Sequence, residues 1–97
     1  MKTIFTLFLI ILTYISFGQI TFSGSVVSEK GEPIPGVNVF LENTYDGAST
    51  DAEGKFIFKT SETGLKQLTA TFIGFKKWQE EIELSGNIEK SIVLKES

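Results

Sequence analysis

The chain is 97 residues long with a formal charge of −3, nine lysines set against twelve acids, and no histidine, cysteine or arginine. Without imidazole or thiol it lacks the usual general base, the usual covalent nucleophile and nearly every zinc ligand set; without cysteine, packing alone must hold it. An acidic balance is the reverse of the basic face that displaces counterions from phosphates, which excludes nucleic acid as a partner.

The first segment reads as an address rather than a fold. Lys2 supplies a positive start, Ile4 to Leu12 is an apolar run broken by Thr6, and Ser16-Phe17-Gly18 places small residues where a signal peptidase reads. The expectation is a cleaved signal peptide over 1–18, with Gln19 opening a single domain over 19–97. An uncleaved membrane anchor is the alternative, but Ile4 to Phe17 falls short of the roughly 20 residues a spanning helix needs. No cysteine follows the run, which excludes a lipid anchor on cysteine. The domain is therefore expected to be exported, with no transmembrane segment of its own.

From Ile20 onward the apolar residues alternate with period two, and no helical stripe follows the leader. Ile20, Phe22, Gly24 and Val26 share one face of a first strand. "SEKGEPIPG" then supplies a turn that no central strand could contain. In "VNVFLEN" Val37, Val39 and Leu41 point one way and Asn38, Phe40 and Glu42 the other. Tyr45-Asp46-Gly47 is a tight-turn signal, followed by a brief segment at Ala48 to Thr50.

"DAEG" turns into "KFIFKT", where Phe56 and Phe58 alternate with Lys55, Ile57 and Lys59, and "SETG" is expected to close that hairpin. Leu68, Ala70 and Phe72 share a face of the next strand, opposite Thr69 and Thr71. Trp78, Ile82 and Leu84 share parity in "FKKWQEEIEL", with Glu80 between them. A last strand carries Ile88, Ile92 and Leu94 inward and ends at "LKES", with no cap or tail expected to protect its edge. The sequence reads equally as a complete small protein or as the N-terminal piece of a longer one. Short strands with turn signals every 8 to 12 residues or so predict an all-β, seven-stranded β-sandwich.

Few constellations could carry chemistry. Asp46, Asp51 and Glu53 lie close in sequence, and calcium takes oxygen ligands from such loops. Their spacing does not match the twelve-residue calcium loop, and six or more ligands would need many carbonyls. A turn accounts for more: Asp51 accepts a backbone bond while Gly54 takes the left-handed position. Carboxylates of a glycosidase pair would have to come from turns and solvent faces, so no catalytic residue and no cofactor is assigned. Tyr45, at a turn tip, and Phe40, on the polar face of its strand, are the candidate exposed aromatics for a ligand such as a glycan. Trp78 shares parity with Ile82 and Leu84, which favours the core or its rim over a sugar platform.

The ordered set of motifs resembles the carboxypeptidase regulatory-like domain, a transthyretin-like (prealbumin-like) β-sandwich. The family's features correspond to Gly24 and Val26 in the first strand, Pro35-Gly36 before the second, Gly47 in the next turn, Thr50, Asp51, Gly54 and Phe56 at the corner, and Ile73-Gly74-Phe75. Ala48-Ser49 and Phe75 depart slightly from it, where glycine-threonine and tyrosine are more usual. The resemblance covers nearly all of 19–97. It implies a non-catalytic accessory domain in the periplasm or at the outer membrane, of the kind that precedes the plug and barrel of TonB-dependent outer-membrane receptors for nutrient uptake. Its partners would be an envelope protein or the receptor or enzyme domains downstream. A free-standing carbohydrate-binding or adhesion module is the competing class, since sandwiches host many unrelated roles.

Overall fold

The alternating stretches after Gln19 become strands in the computed structural model, which describes residues 18–97. The expected signal peptide lies outside the described residues except for Gly18. The elements are β1 (Ile20–Ser28), β2 (Asn38–Leu41), β3 (Gly47–Ser49), β4 (Lys55–Thr60), β5 (Gly64–Thr71), β6 (Trp78–Leu84) and β7 (Ile88–Leu94). They form two facing sheets of order β4-β1-β7 and β3-β2-β5-β6. β1 is the centre of the first sheet, antiparallel to β4 and parallel to β7. The second sheet is antiparallel throughout. No helix among the described residues is long and apolar enough to cross a membrane.

Two expected hairpins are instead crossings between sheets. β3 belongs to the second sheet, β4 to the first and β5 to the second again, so "DAEG" and "SETG" each carry the chain from one layer to the other. Alternation assigns a residue to a face but does not name the neighbouring strand. Three-residue β3 could offer β4 only a short ladder, whereas β1 pairs with all of β4, from Ile20 against Thr60 to Ser25 against Lys55. The register of Phe56 and Phe58 is therefore set by β1, opposite Gly24 and Phe22.

The inward faces meet in one core. Phe22, Val26, Phe56, Phe58, Ile92 and Leu94 come from the first sheet, facing Val39, Leu41, Leu68, Ala70 and Leu84 of the second, with Val37 and Ile34 leading into β2. Phe22 and Phe58 stack with ring centroids 5.2 Å apart and planes 5° from parallel. Gly24 is silent between them for a steric reason: a Cβ there would lie 1.9 Å from the Lys90 carbonyl oxygen and 2.9 Å from the Phe56 ring. Thr50, buried beside Ile34, accepts from the Val37 N–H at 2.9 Å and donates to the Ile34 carbonyl at 2.6 Å, so two backbone groups of the β2 approach are satisfied by one hydroxyl.

The last strand is a sheet edge as expected, paired among the described residues with β1 alone, and two features blunt it. Lys90 of β7 and Glu80 of β6 both share the parity of inward residues and form an ion pair across the sandwich, and inward-pointing charge on an edge strand discourages pairing with another chain. Beyond β7 the chain turns to the other layer: the Lys76 N–H donates to the Lys95 carbonyl at 2.7 Å and the Ser97 N–H to the Gly74 carbonyl at 3.1 Å.

Candidate interaction surfaces

The corner at Asp51 shows what its carboxylate does. Asp51 Oδ1 accepts from the N–H groups of Glu53 and Lys55, both at 2.9 Å, and the Asp51 carbonyl accepts from the Gly54 N–H at 2.9 Å. Gly54 has φ +76°, and a Cβ on it would come within 2.7 Å of the Val26 carbonyl oxygen. Its own carbonyl accepts from the Val26 N–H at 2.8 Å, which extends the β1–β4 ladder into the corner. The turn thus has one left-handed residue, one carboxylate acting as a backbone cap, and a fixed seat against β1.

The other two acids lie apart from that carboxylate oxygen in function. Glu53 pairs with Lys55 at 3.6 Å on the open surface. Asp46 sits in the β2–β3 loop, where its Oδ2 accepts from the Thr60 hydroxyl at 2.7 Å and so ties that loop to the end of β4. Among the described residues no three acidic side chains are grouped to hold a metal ion.

The loop carrying Tyr45 is longer than its Asp-Gly signal suggests. Leu41 N–H donates to the Asp46 carbonyl, Thr44 Oγ1 donates to the Leu41 carbonyl, and the left-handed residue is Asn43, at φ +63°. Gly47 is needed for space instead, since a Cβ there would meet the Phe40 Cβ at 2.7 Å. Tyr45 stands fully exposed at the tip. Phe40, by contrast, is half-buried on the outer face of the second sheet, because its register partners are Gly47 and Thr69 and both lie close under it. The structure does not make it a free platform. Trp78 is likewise half-buried and packs against the core, at its rim.

Around Phe40 lies a polar cluster that sequence parity did not assemble. Thr69 faces outward yet is fully buried. Its hydroxyl donates to Glu42 Oε1 at 2.9 Å; Gln79 Nε2 reaches both Glu42 Oε1 and Thr69 Oγ1 at 3.3 Å, and Lys77 lies 3.8 Å from the same carboxylate oxygen. The available signal was register: Phe40, Thr69 and Gln79 are cross-strand neighbours on β2, β5 and β6. On the opposite outer face, Ser23, Ser25 and Ser91 line an open depression of about 420 Å³, bordered by Lys55 and Ile57. On the first surface the Thr69 hydroxyl and the Glu42 carboxylate are bonded to each other, and Thr69 is fully buried rather than open to a substrate. Both surfaces can offer hydrogen bonds and shape to a partner.

Comparison with known proteins places this geometry. At 33% identity over 75 residues, the chain is similar to TonB-dependent receptor P39 of Formosa agariphila; the match takes in 71% of this chain and 7% of that receptor, so the chain spans a small fraction of its length. Among solved structures it superposes on a chain of a type II cohesin–X–dockerin complex from Acetivibrio cellulolyticus with a TM-score of 0.69 at 22% identity, covering 77% of this chain and 56% of the other. A TM-score of 0.65 at 10% identity relates it to 3-chlorocatechol 1,2-dioxygenase of Rhodococcus opacus, over 84% of this chain and 61% of that one. An assembly module and an enzyme sharing one sandwich speak for the fold alone. The family model for the CarboxypepD_reg-like domain matches residues 22–97, and the chain belongs to that family.

Proposed function

We propose that the chain is a non-catalytic accessory domain of the cell envelope, exported by the segment 1–18 and serving a TonB-dependent outer-membrane receptor from the periplasmic side. The observation that carries this reading is the 33% identity over 75 residues with a receptor of that class. A chain without histidine or cysteine agrees with it, as do acids engaged in holding turns: Asp51 caps a corner and Asp46 ties a loop. The domain acts by being held against a partner, through side chains on its outer faces and ends rather than through the β6–β7 seam, which the Lys90–Glu80 pair guards.

A carbohydrate-binding or adhesion role is the second reading, favoured by one feature: Tyr45 is fully exposed at a loop tip whose backbone is held by its own hydrogen bonds. A rigid exposed aromatic is suited to stacking on a sugar ring. A pull-down from envelope extract with residues 19–97, run beside a glycan array, separates the two. Enrichment of outer-membrane import components supports the accessory role. A saturable array signal that disappears in Tyr45→Ala replaces it with the second.

A further inference from the structure

The turn between β5 and β6 presents an unusual combination. Ile73 is 89% exposed at its tip. The turn beneath is rigid: the Phe75 N–H donates to the Phe72 carbonyl at 3.1 Å, Gly74 takes φ +88°, and the rings of Phe72 and Phe75 lie 6.0 Å apart, half-buried against the core. Presenting Ile73 therefore costs little further ordering.

One flank of this turn is basic in a chain that is acidic overall. The pairing of Phe75 with Glu96 sets Lys76 directly opposite Lys95, with the Lys76 N–H bonded to the Lys95 carbonyl. Like charges directly opposite are destabilising. Among the described residues neither lysine has an ion-pair partner, while Lys77 beside them makes one loose contact, 3.8 Å from Glu42. Lys76, Lys77 and Lys95 surround one hollow with Trp78, and Lys77 also borders the hollow beside Ile73. The far flank, beyond Phe75, carries Glu29, Glu32 and Glu96 with Lys30 among them, so it is acidic on balance and charge is divided across the turn.

We propose that this turn docks on an anionic phospholipid surface, with Ile73 entering the headgroup–acyl boundary and Lys76, Lys77 and Lys95 meeting lipid phosphates. Ile73 is a protruding point rather than a flat patch. A fluid interface accepts such a point without a matching pocket, whereas a protein partner would need one, and clustered lysines beside an inserted apolar residue are drawn to negative lipid. The acidic flank fixes the tilt, since Glu29, Glu32 and Glu96 turn away from the surface. The contact is weak and reversible, suited to orienting a domain that other contacts retain. It does not depend on the receptor assignment.

The test is co-sedimentation of residues 19–97, which contain both sheets and the whole core, with vesicles of phosphatidylglycerol and phosphatidylethanolamine, and with phosphatidylcholine vesicles as the neutral control. Binding to the anionic vesicles that weakens with added salt is expected. Ile73→Ser, at a position too exposed to disturb folding, should lower the affinity about tenfold. Lys76→Glu with Lys95→Glu should remove the preference for anionic lipid, and circular dichroism melts keep loss of fold distinct from loss of binding. Glu32→Gln should bind as well or better. Absence of vesicle binding by the folded chain, or equal binding to neutral vesicles, would overturn the proposal. So would an unaltered affinity in Ile73→Ser, which would mark the lysines as a site for soluble anions or an acidic protein.

Discussion

Lys90 and Glu80 meet across the sandwich, joining the edge strand β7 of one sheet to the edge strand β6 of the other. The pair is 30% and 42% exposed at its side chains, so its attraction is screened and its contribution to stability is small, at most about 1 kcal/mol. Its larger effect is on association. Replacing both residues by valine should leave the urea midpoint nearly unchanged or slightly raised, while sedimentation velocity shows dimers or larger species through the unguarded seam. A variant that stays monomeric would show that the edge is protected by something else.

Gly24 and Gly31 make a controlled comparison. A methyl at Gly24 would collide with the Lys90 carbonyl and the Phe56 ring, both fixed by the β1–β7 ladder and the core. Gly24→Ala should therefore destabilise by about 3 kcal/mol or more. Gly31 has φ +81° but open space around it, so Gly31→Ala should cost only the conformational penalty of about 1 kcal/mol. Chemical denaturation of the two variants measures both.

The faces of the strands were legible in the sequence because period two is local. Phe22, Val39, Phe56, Leu68 and Ile92 all lie where alternation put them. Strand partnership was not legible, since "DAEG" has the chemistry of a hairpin corner whether the next strand folds back beside its predecessor or crosses to the other layer. Phe40 failed for a related reason. Its parity is outward, but burial depends on Gly47 and Thr69 as cross-strand neighbours, which only register reveals. The C-terminal pairing of Lys76 with Lys95 spans the two sheets and leaves no periodic trace.

Thr50 links the approach to β2 with the chain entering the corner. Thr50→Val keeps the shape but strands the Val37 N–H and the Ile34 carbonyl without partners in the core, and should cost about 2 to 3 kcal/mol. Thr50→Ser retains the hydroxyl and should cost clearly less. Equal losses in the two variants would assign the effect to the methyl group rather than to the hydrogen bonds.

Asp51 separates a turn from a metal site. Asp51→Ala removes the acceptor of two backbone N–H groups and should destabilise by about 1 to 2 kcal/mol, with Asp51→Asn milder because an amide oxygen still accepts. Added calcium should leave the melting temperature of the unaltered chain where it was. A rise that Asp51→Asn abolishes would make the corner a calcium site after all.

Assistance to import, rather than chemistry or adhesion, is the role proposed for this CarboxypepD_reg-like domain. The most direct measurement removes the codons for 19–97 in frame in the producing cell and follows uptake of the glycans and metal chelates on which that cell grows, with envelope adhesion measured in parallel. Uptake of at least one such nutrient should fall severalfold while adhesion and envelope hydrolase activities are unchanged. Uptake left intact together with lost adhesion, reproduced by Tyr45→Ala alone, would contradict the proposed role.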